Sequence, residues 1–211
     1  MPRKAAAKVP KNREETKKET REALIRAGLA AFQEDGLDAS LDDICDRAGF
    51  TRGAFYVHFA DREALLVAVM DHVGEQFLGS VFAGIEAGGE MTPSLRTVAE
   101  RFVASVKAGT YPLMPPKGKK PMVSMQQLLA ACGRSKHVRE RYRALVETSV
   151  GAVSALAMAD QMSNGLRTDV GAGELGQLML AVIIGAQTMG ELGVAVDPEA
   201  LTKTMLTMMK P

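Results

Sequence analysis

Tryptophan is absent from this 211-residue chain, and aromatic residues make up only 5% of it. A core must therefore draw on aliphatic side chains and on 13 Met, a flexible and polarizable filler. Only two cysteines occur, Cys45 and Cys132. That number excludes a disulfide framework, and their spacing fits no metal site. The three histidines are scattered; Asp71, His72 and Glu75 share one helical turn but offer no complete ligand set, so a solvated helix face is the simpler reading. Neither a Ser/His/Asp nor a Cys/His arrangement can be drawn, and no Gly-rich phosphate loop is present. No enzyme activity, metal or cofactor is expected. The longest apolar run, Leu178–Ala186, is far short of the ~18 residues that cross a bilayer. The basic start is followed by no apolar stretch of the signal-peptide kind, and a cytoplasmic protein is expected. With 46% hydrophobic and 24% charged residues, the chain can bury a core and fold.

Net charge is only +1, which argues nothing about partners, but its distribution is uneven. Residues 1–26 hold nine Lys/Arg against four Glu, whereas residues 27–50 hold one Arg against six acids. A one-faced contact with a polyanion needs that kind of polarity. Past the acidic stretch, Ser40–Arg62 (SLDDICDRAGFTRGAFYVHFADR) reads as helix, tight turn, helix, and the start of a third helix. Ser40 is placed to cap the first helix, with Asp43 three residues on. Leu41, Ile44 and Ala48 form a one-sided apolar stripe. Gly49 suits a turn that needs positive φ, and Thr51 can cap the next helix. Phe55 and Phe59, at i and i+4, face the core. That leaves Thr51, Arg52, Gly53, Ala54, Tyr56 and His58 outward. Two short helices joined by such a turn make a helix-turn-helix, whose second helix enters a DNA major groove. On this reading Arg52 can grip a guanine edge, Thr51 or Ala54 a thymine methyl, and Gly53 lets the backbone come close. Tyr56, His58 and Arg62 suit phosphates, and Ser40 joins them at the helix start. The alternative is a plain three-helix core with solvated polar residues.

These residues resemble the N-terminal domain of the TetR family of transcriptional regulators. The resemblance lies in Ala27–Gly36 (AGLAAFQEDG), in Ala48–Phe59 (AGFTRGAFYVHF), and in Asp61–Leu66 (DREALL). It covers about the first third of the chain, Arg21–Leu66. Cys45 stands where the family usually has Ala, and Arg62 where it usually has Lys. The resemblance implies a cytoplasmic regulator that binds double-stranded DNA at a palindromic operator as a homodimer. It further implies a repressor, released by a small-molecule effector. A constitutive DNA-binding or nucleoid protein without ligand control is the alternative.

No stretch reads as a strand, and the whole chain is expected to be all-α, with about nine helices. The expected division is a flexible basic arm at 1–13, a three-helix helix-turn-helix DNA-binding domain at 14–60, and a helical ligand-binding and dimerisation domain at 61–211. The arm is either a solubilising tail or a DNA contact. Asp61 caps a long helix that would carry motion from the body to the head; Gly88-Gly89 end it. Thr92-Pro93 should open the next helix, with Pro at its first position. Ser135 caps another, through about Met158. The helix at 171–193 is apolar nearly all round, which predicts burial on both sides. Its small residues, among them Gly185 and Gly190, favour close helix packing. It and the segment at 198–209 are expected to pair across a two-fold axis. The resemblance places a ligand cavity among the helices between head and interface. There the candidate lining is Phe77, Phe102, Val106, Met122, Met125, Gln126, Leu129, Tyr142, Leu145, Thr148 and Gln187, apolar with a few polar anchors. Lys117–Lys120 either covers its mouth or is a solvated turn.

Overall fold

A computed structural model describes residues 12–81, 94–109 and 124–211; the side chains of residues 77, 78, 80 and 81 are outside that description. Among the described residues there are nine helices and no strand: α1 (Arg13–Asp35), α2 (Leu41–Ala48), α3 (Arg52–Tyr56), α4 (Arg62–Val81), α5 (Leu95–Ala108), α6 (Met125–Arg134), α7 (Lys136–Met162), α8 (Ala172–Glu191) and α9 (Pro198–Met208). Most of the arm, Gly88-Gly89, Thr92-Pro93, Lys117–Lys120, Met122 and the side chain of Phe77 lie outside the described residues.

Local chemistry sets most helix ends. The Ser40 hydroxyl accepts the Asp43 N–H at 3.0 Å, and Gly49 closes α2 at φ 73, ψ 28. A side chain at Gly49 would be forced into the left-handed region that L-residues avoid. Thr51 accepts the Ala54 N–H at 3.2 Å and starts α3. Asp61 accepts the Ala64 N–H at 2.7 Å at the head of α4. Ser135 accepts the Val138 N–H at 3.3 Å, and Asp197 accepts from Glu199 and Ala200, with Pro198 at the first position of α9. Each such cap satisfies donors that have no partner inside the helix. Ser94 accepts the Thr97 N–H at 3.2 Å and caps α5 at Leu95.

The buried side chains form two clusters. The first joins Leu24, Phe32, Ile44, Phe55, Phe59 and Leu65 of the N-terminal helices to Met125, Leu128, Ala131, Cys132 and Val138 of α6 and α7. The second joins Leu95 and Val98 of α5 to Leu156 and Ala157 of α7, Leu175 and Met179 of α8, and Met209. Each fully buried Leu, Ile or Phe contributes about 1.5–3 kcal/mol relative to exposure. The first cluster thus seats α6 directly under the N-terminal helices. Polar contacts follow the same path. Gln127 accepts the Leu37 N–H at 3.4 Å, Arg134 pairs with Asp38 at 3.4 Å, and the Ser135 hydroxyl donates to Glu63 at 2.6 Å. At the other end of α6, Glu191 of α8 receives Ser124, at 2.9 Å, and the backbone N–H groups of Met125 and Gln126. A carboxylate there complements the positive end of the α6 dipole.

Within a single chain α8 is covered on one side. Leu178 is 53% exposed, Met189 42% and Leu192 76%. Only the side carrying Ala172, Leu175, Gly176, Met179, Ala186 and Gln187 is covered by the rest of the chain. An apolar residue count cannot say which side of a helix its own chain will cover.

Candidate nucleic-acid interface

The α2–α3 hairpin is held from behind. Phe55 is fully buried and Phe59 nearly so, their ring centroids 5.4 Å apart. Ile44 and Cys45 of α2 are buried beside them in the same cluster. Arg47 binds Glu34 at 2.6 Å, Asp35 at 3.1 Å and Asp43 at 2.9 Å, tying α2 to the end of α1. With both phenylalanines inward, the other side of α3 is displayed. Thr51, Arg52, Gly53 and Tyr56 are exposed, Tyr56 to 55%, and Ala54 and His58 are partly so. Ser40 is also exposed, its hydroxyl engaged in the α2 cap. A major groove admits an α-helix displayed in this way.

Gly53 has no internal reason to be glycine. A Cβ built on it would meet only the Thr51 hydroxyl, at 3.6 Å. Glycine in an exposed helix costs about 1 kcal/mol relative to alanine. The space it leaves is on the outside.

Arg52 does not extend freely from this face. Its Nε–H and one Nη2–H both go to the Asp42 carboxylate, the second at 2.5 Å. The pair lowers the Asp42 carboxyl below its ordinary value through the hydrogen bond from Arg52, and raises Arg52 in turn.

Arg62 sits elsewhere than the sequence suggests. Its Nε–H donates to the Ala39 carbonyl at 2.8 Å, and Nη2 donates to the Leu37 carbonyl. The guanidinium lies 5.5 Å from the Phe32 ring centroid. It is half-buried, and desolvation lowers its pKa. A side chain placed to reach a phosphate is here turned back onto the α1–α2 loop, whose two carbonyls match the planar fork of a guanidinium.

Two cations that the sequence pattern did not single out stand at the edge of the same face. Lys17 and Arg21 are one helical turn apart on α1. Arg21 lies 5.2 Å from the Phe59 ring centroid. Burial first, and then Lys17 and Arg21, hold the His58 imidazole below its ordinary 6.5. The i, i+4 spacing of two bases in an already basic segment was the available signal.

The expected ligand-lining residues are dispersed. Met125 is buried, and the Tyr142 hydroxyl lies 3.6 Å from its sulfur. Burial raises the Tyr142 phenol above its ordinary value. Gln187 is buried in α8, Val106 is buried in α5, and Phe102 and Leu145 are half-buried. Gln126, Leu129 and Thr148 face solvent. A groove of about 510 Å³ does exist, but between α5 and α9, lined by Arg96, Glu100, Val103, Lys107, Glu199, Lys203, Leu206 and Lys210 among others. None of these was among the expected residues. Lys107 bridges it to Glu199 at 2.5 Å. Among the described residues no group of three His, Cys, Asp or Glu could hold a metal ion, and no helix is long and apolar enough to cross a membrane.

Comparison with known proteins points to the same end of the molecule. Residues 24–69 match the family described as bacterial regulatory proteins, tetR family. An uncharacterised HTH-type transcriptional regulator of Pseudomonas putida, TtgW, is 48% identical over 54 residues, 25% of this chain and 40% of that protein. The HTH-type transcriptional regulator SrpR of Pseudomonas putida is 47% identical over 53 residues, 25% of each chain. The chain thus matches well under half the length of these relatives. Over nearly its whole length it shares a fold with the crystal structure of regulatory protein TetR from Rhodobacter sphaeroides. The TM-score is 0.70 at 19% identity, and the match covers 89% of this chain and 97% of that one.

Proposed function

We propose, from the match of its N-terminal helices to the tetR family of bacterial regulatory proteins, that the chain is a TetR-family transcription regulator that binds a palindromic DNA operator as a homodimer. The observation that carries this reading is the orientation of α3: Phe55 and Phe59 are inside, and Thr51, Arg52, Gly53 and Tyr56 are outside. In this reading residues 14–60 contact the duplex and 61–211 pair and sense. Arg52 reads a base, Thr51 and Ala54 meet the groove wall, and Tyr56, His58, Ser40, Lys17 and Arg21 address phosphates. Arg62 holds the α1–α2 loop in place. Footprinting on the DNA upstream of its own gene should protect one two-fold-symmetric stretch. Binding spread evenly over any duplex would overturn the operator and support a non-specific DNA-coating protein.

The regulatory direction is repression, relieved when a small apolar or amphipathic molecule binds. The supporting feature is α6. It shares the first core with the head, touches Leu37, Asp38 and Glu63, and is capped by Glu191 of α8. A ligand settling near Met125, Tyr142 and Gln187 would bias α6, and through it the spacing of two heads. The Arg141–Asp71 pair, which fastens α4 to α7, gives the long helix its share of that motion. A coupling of about 1–3 kcal/mol is typical of such systems. If gel shifts against cell extracts and apolar compounds never change DNA affinity, sensing is excluded.

Two further outcomes test the face. Gly53→Ala should stabilise the protein by about 0.5–1 kcal/mol, since the site has room. The same methyl should weaken operator binding about tenfold, the loss of a close backbone approach. Thermal melting and fluorescence anisotropy on one preparation check both signs. The second outcome concerns pH. In the free protein His58 is held below 6.5. A phosphate beside Lys17, Arg21 and His58 offsets both cations and favours the imidazolium, so its pKa rises in the complex. Binding then takes up a proton. Affinity should increase several-fold as pH falls from about 8 to 6, and the gain should be lost as pH rises through the complex's value. His58→Gln should flatten the profile.

A further inference from the structure

Asp42 is an oddity on this face. A carboxylate there repels the phosphates of any duplex that α3 approaches. It takes no part in joining α2 to α1, which Arg47 does through Glu34 and Asp35. Nor does an exposed pair such as this add much to stability: the two side chains are 63% and 57% exposed. The geometry gives it another use. Asp42 is the second residue of α2 and Arg52 the first of α3. The carboxylate takes one hydrogen from Nε and one from Nη2, the side-on edge of the guanidinium. Arginine has five N–H donors in a rigid plane. Three remain: one on Nη1 and one on Nη2 form the end-on edge, and the second on Nη1 points back along the Cδ side. That edge has the two parallel N–H groups that match O6 and N7 of guanine. While the side-on edge is engaged the plane is restrained, and the free fork faces away from Asp42 before contact.

We propose that Asp42 is a positioning residue for base recognition, holding the Arg52 guanidinium side-on so that its end-on edge is presented to one guanine in each half-site. This rests on the reading of α3 as the DNA-contacting helix. The same carboxylate keeps a phosphate from taking the side-on edge, so it lowers affinity for duplexes of unrelated sequence. Discrimination therefore comes from both sides of the ratio.

Selection of the full-length protein on a pool of random-sequence duplexes tests this. The wild type should enrich a palindrome with one guanine per half-site that Arg52→Ala no longer selects. A bidentate contact of this kind favours guanine about tenfold or more. In Asp42→Asn the preference at that one position should fall about fivefold, with the other positions unchanged. Affinity for a duplex of unrelated sequence should rise several-fold, because a repulsive charge is gone from each head. Asp42→Ser is measured beside it, since both residues are compatible with the first turn of α2, and melting curves establish that each variant is folded. Asp42→Glu, which keeps the carboxylate, should recover part of the preference. An undiminished guanine preference in both neutral variants would overturn the proposal, as would loosening at every position equally. If Arg52→Ala selected the wild-type palindrome, this inference alone would fall. If the wild type enriched no sequence, the operator reading would fall with it.

Discussion

Leu178→Glu should make the protein monomeric at micromolar concentration and lower its affinity for a two-half-site duplex by about a hundredfold or more. The expectation comes from the uncovered side of α8. Leu178, Ala181, Gly185, Met189 and Leu192 recur at helical spacing along one stripe, and three of them are large and exposed. A Cβ on Gly185 would meet nothing in the chain within 4 Å. The neighbouring α9 has no fully buried residue, and its Met208 is 68% exposed. A contiguous apolar patch of this kind is a binding surface more often than a solvated one. The small residues at its centre let an identical helix approach closely, and a two-fold axis makes the patch its own complement. A glutamate at Leu178 would stand unpaired inside that contact, twice per dimer, and buried unpaired charge is strongly unfavourable. Separate heads then lose the second binding event, which in linked systems is worth about 10²–10⁴ in affinity. Light scattering and anisotropy on the same sample read both effects. Since Leu178 touches little of its own chain, the monomer should stay helical by circular dichroism. A variant that remained dimeric and bound normally would remove this stripe from the interface.

That surface also shows where sequence stops being informative. The hairpin could be read residue by residue because its determinants are local. A hydroxyl or carboxylate three residues before the donor it meets is visible in the string, as at Ser40, Thr51, Asp61 and Ser135. So is the i, i+4 pair Phe55 and Phe59, which fixes which side of α3 is inside. The apolar character of α8 was equally visible, but which half of it the chain covers depends on how α7 packs, a non-local fact. Which of the candidate ligand residues meet is likewise a non-local fact. Met125 and Tyr142 meet, yet Leu129, a residue of similar apolar character one turn from Met125, is 54% exposed. The Asp42–Arg52 pair lies ten residues apart across a turn. No helical spacing announces it, and it becomes legible only when the crossing of α2 and α3 is known.

Arg62 is the sharpest instance, and it yields the other large effect. As a phosphate ligand its loss would weaken DNA binding and leave the fold alone. The structure gives the opposite expectation. Two of its nitrogens donate to the carbonyls of Ala39 and Leu37, and its plane lies over Phe32. Those carbonyls belong to the loop that sets α2 against α1, and Leu37 and Ala39 are themselves buried. Arg62→Ala would leave both acceptors without a charged donor in a poorly hydrated place. Hydrogen bonds to charged groups contribute about 1.5–3 kcal/mol, and stranded buried acceptors cost a similar amount. A loss of about 2–3 kcal/mol is therefore expected, read as a lower denaturant midpoint with an unchanged slope. Operator affinity per folded molecule should change less than about threefold, with the same dependence on salt, because no phosphate contact has been removed. Arg62→Lys should recover little. An ammonium cannot address two carbonyls in one plane or stack on a ring as a guanidinium does. A variant that melted normally but lost affinity, with a shallower salt slope, would instead return Arg62 to the DNA face.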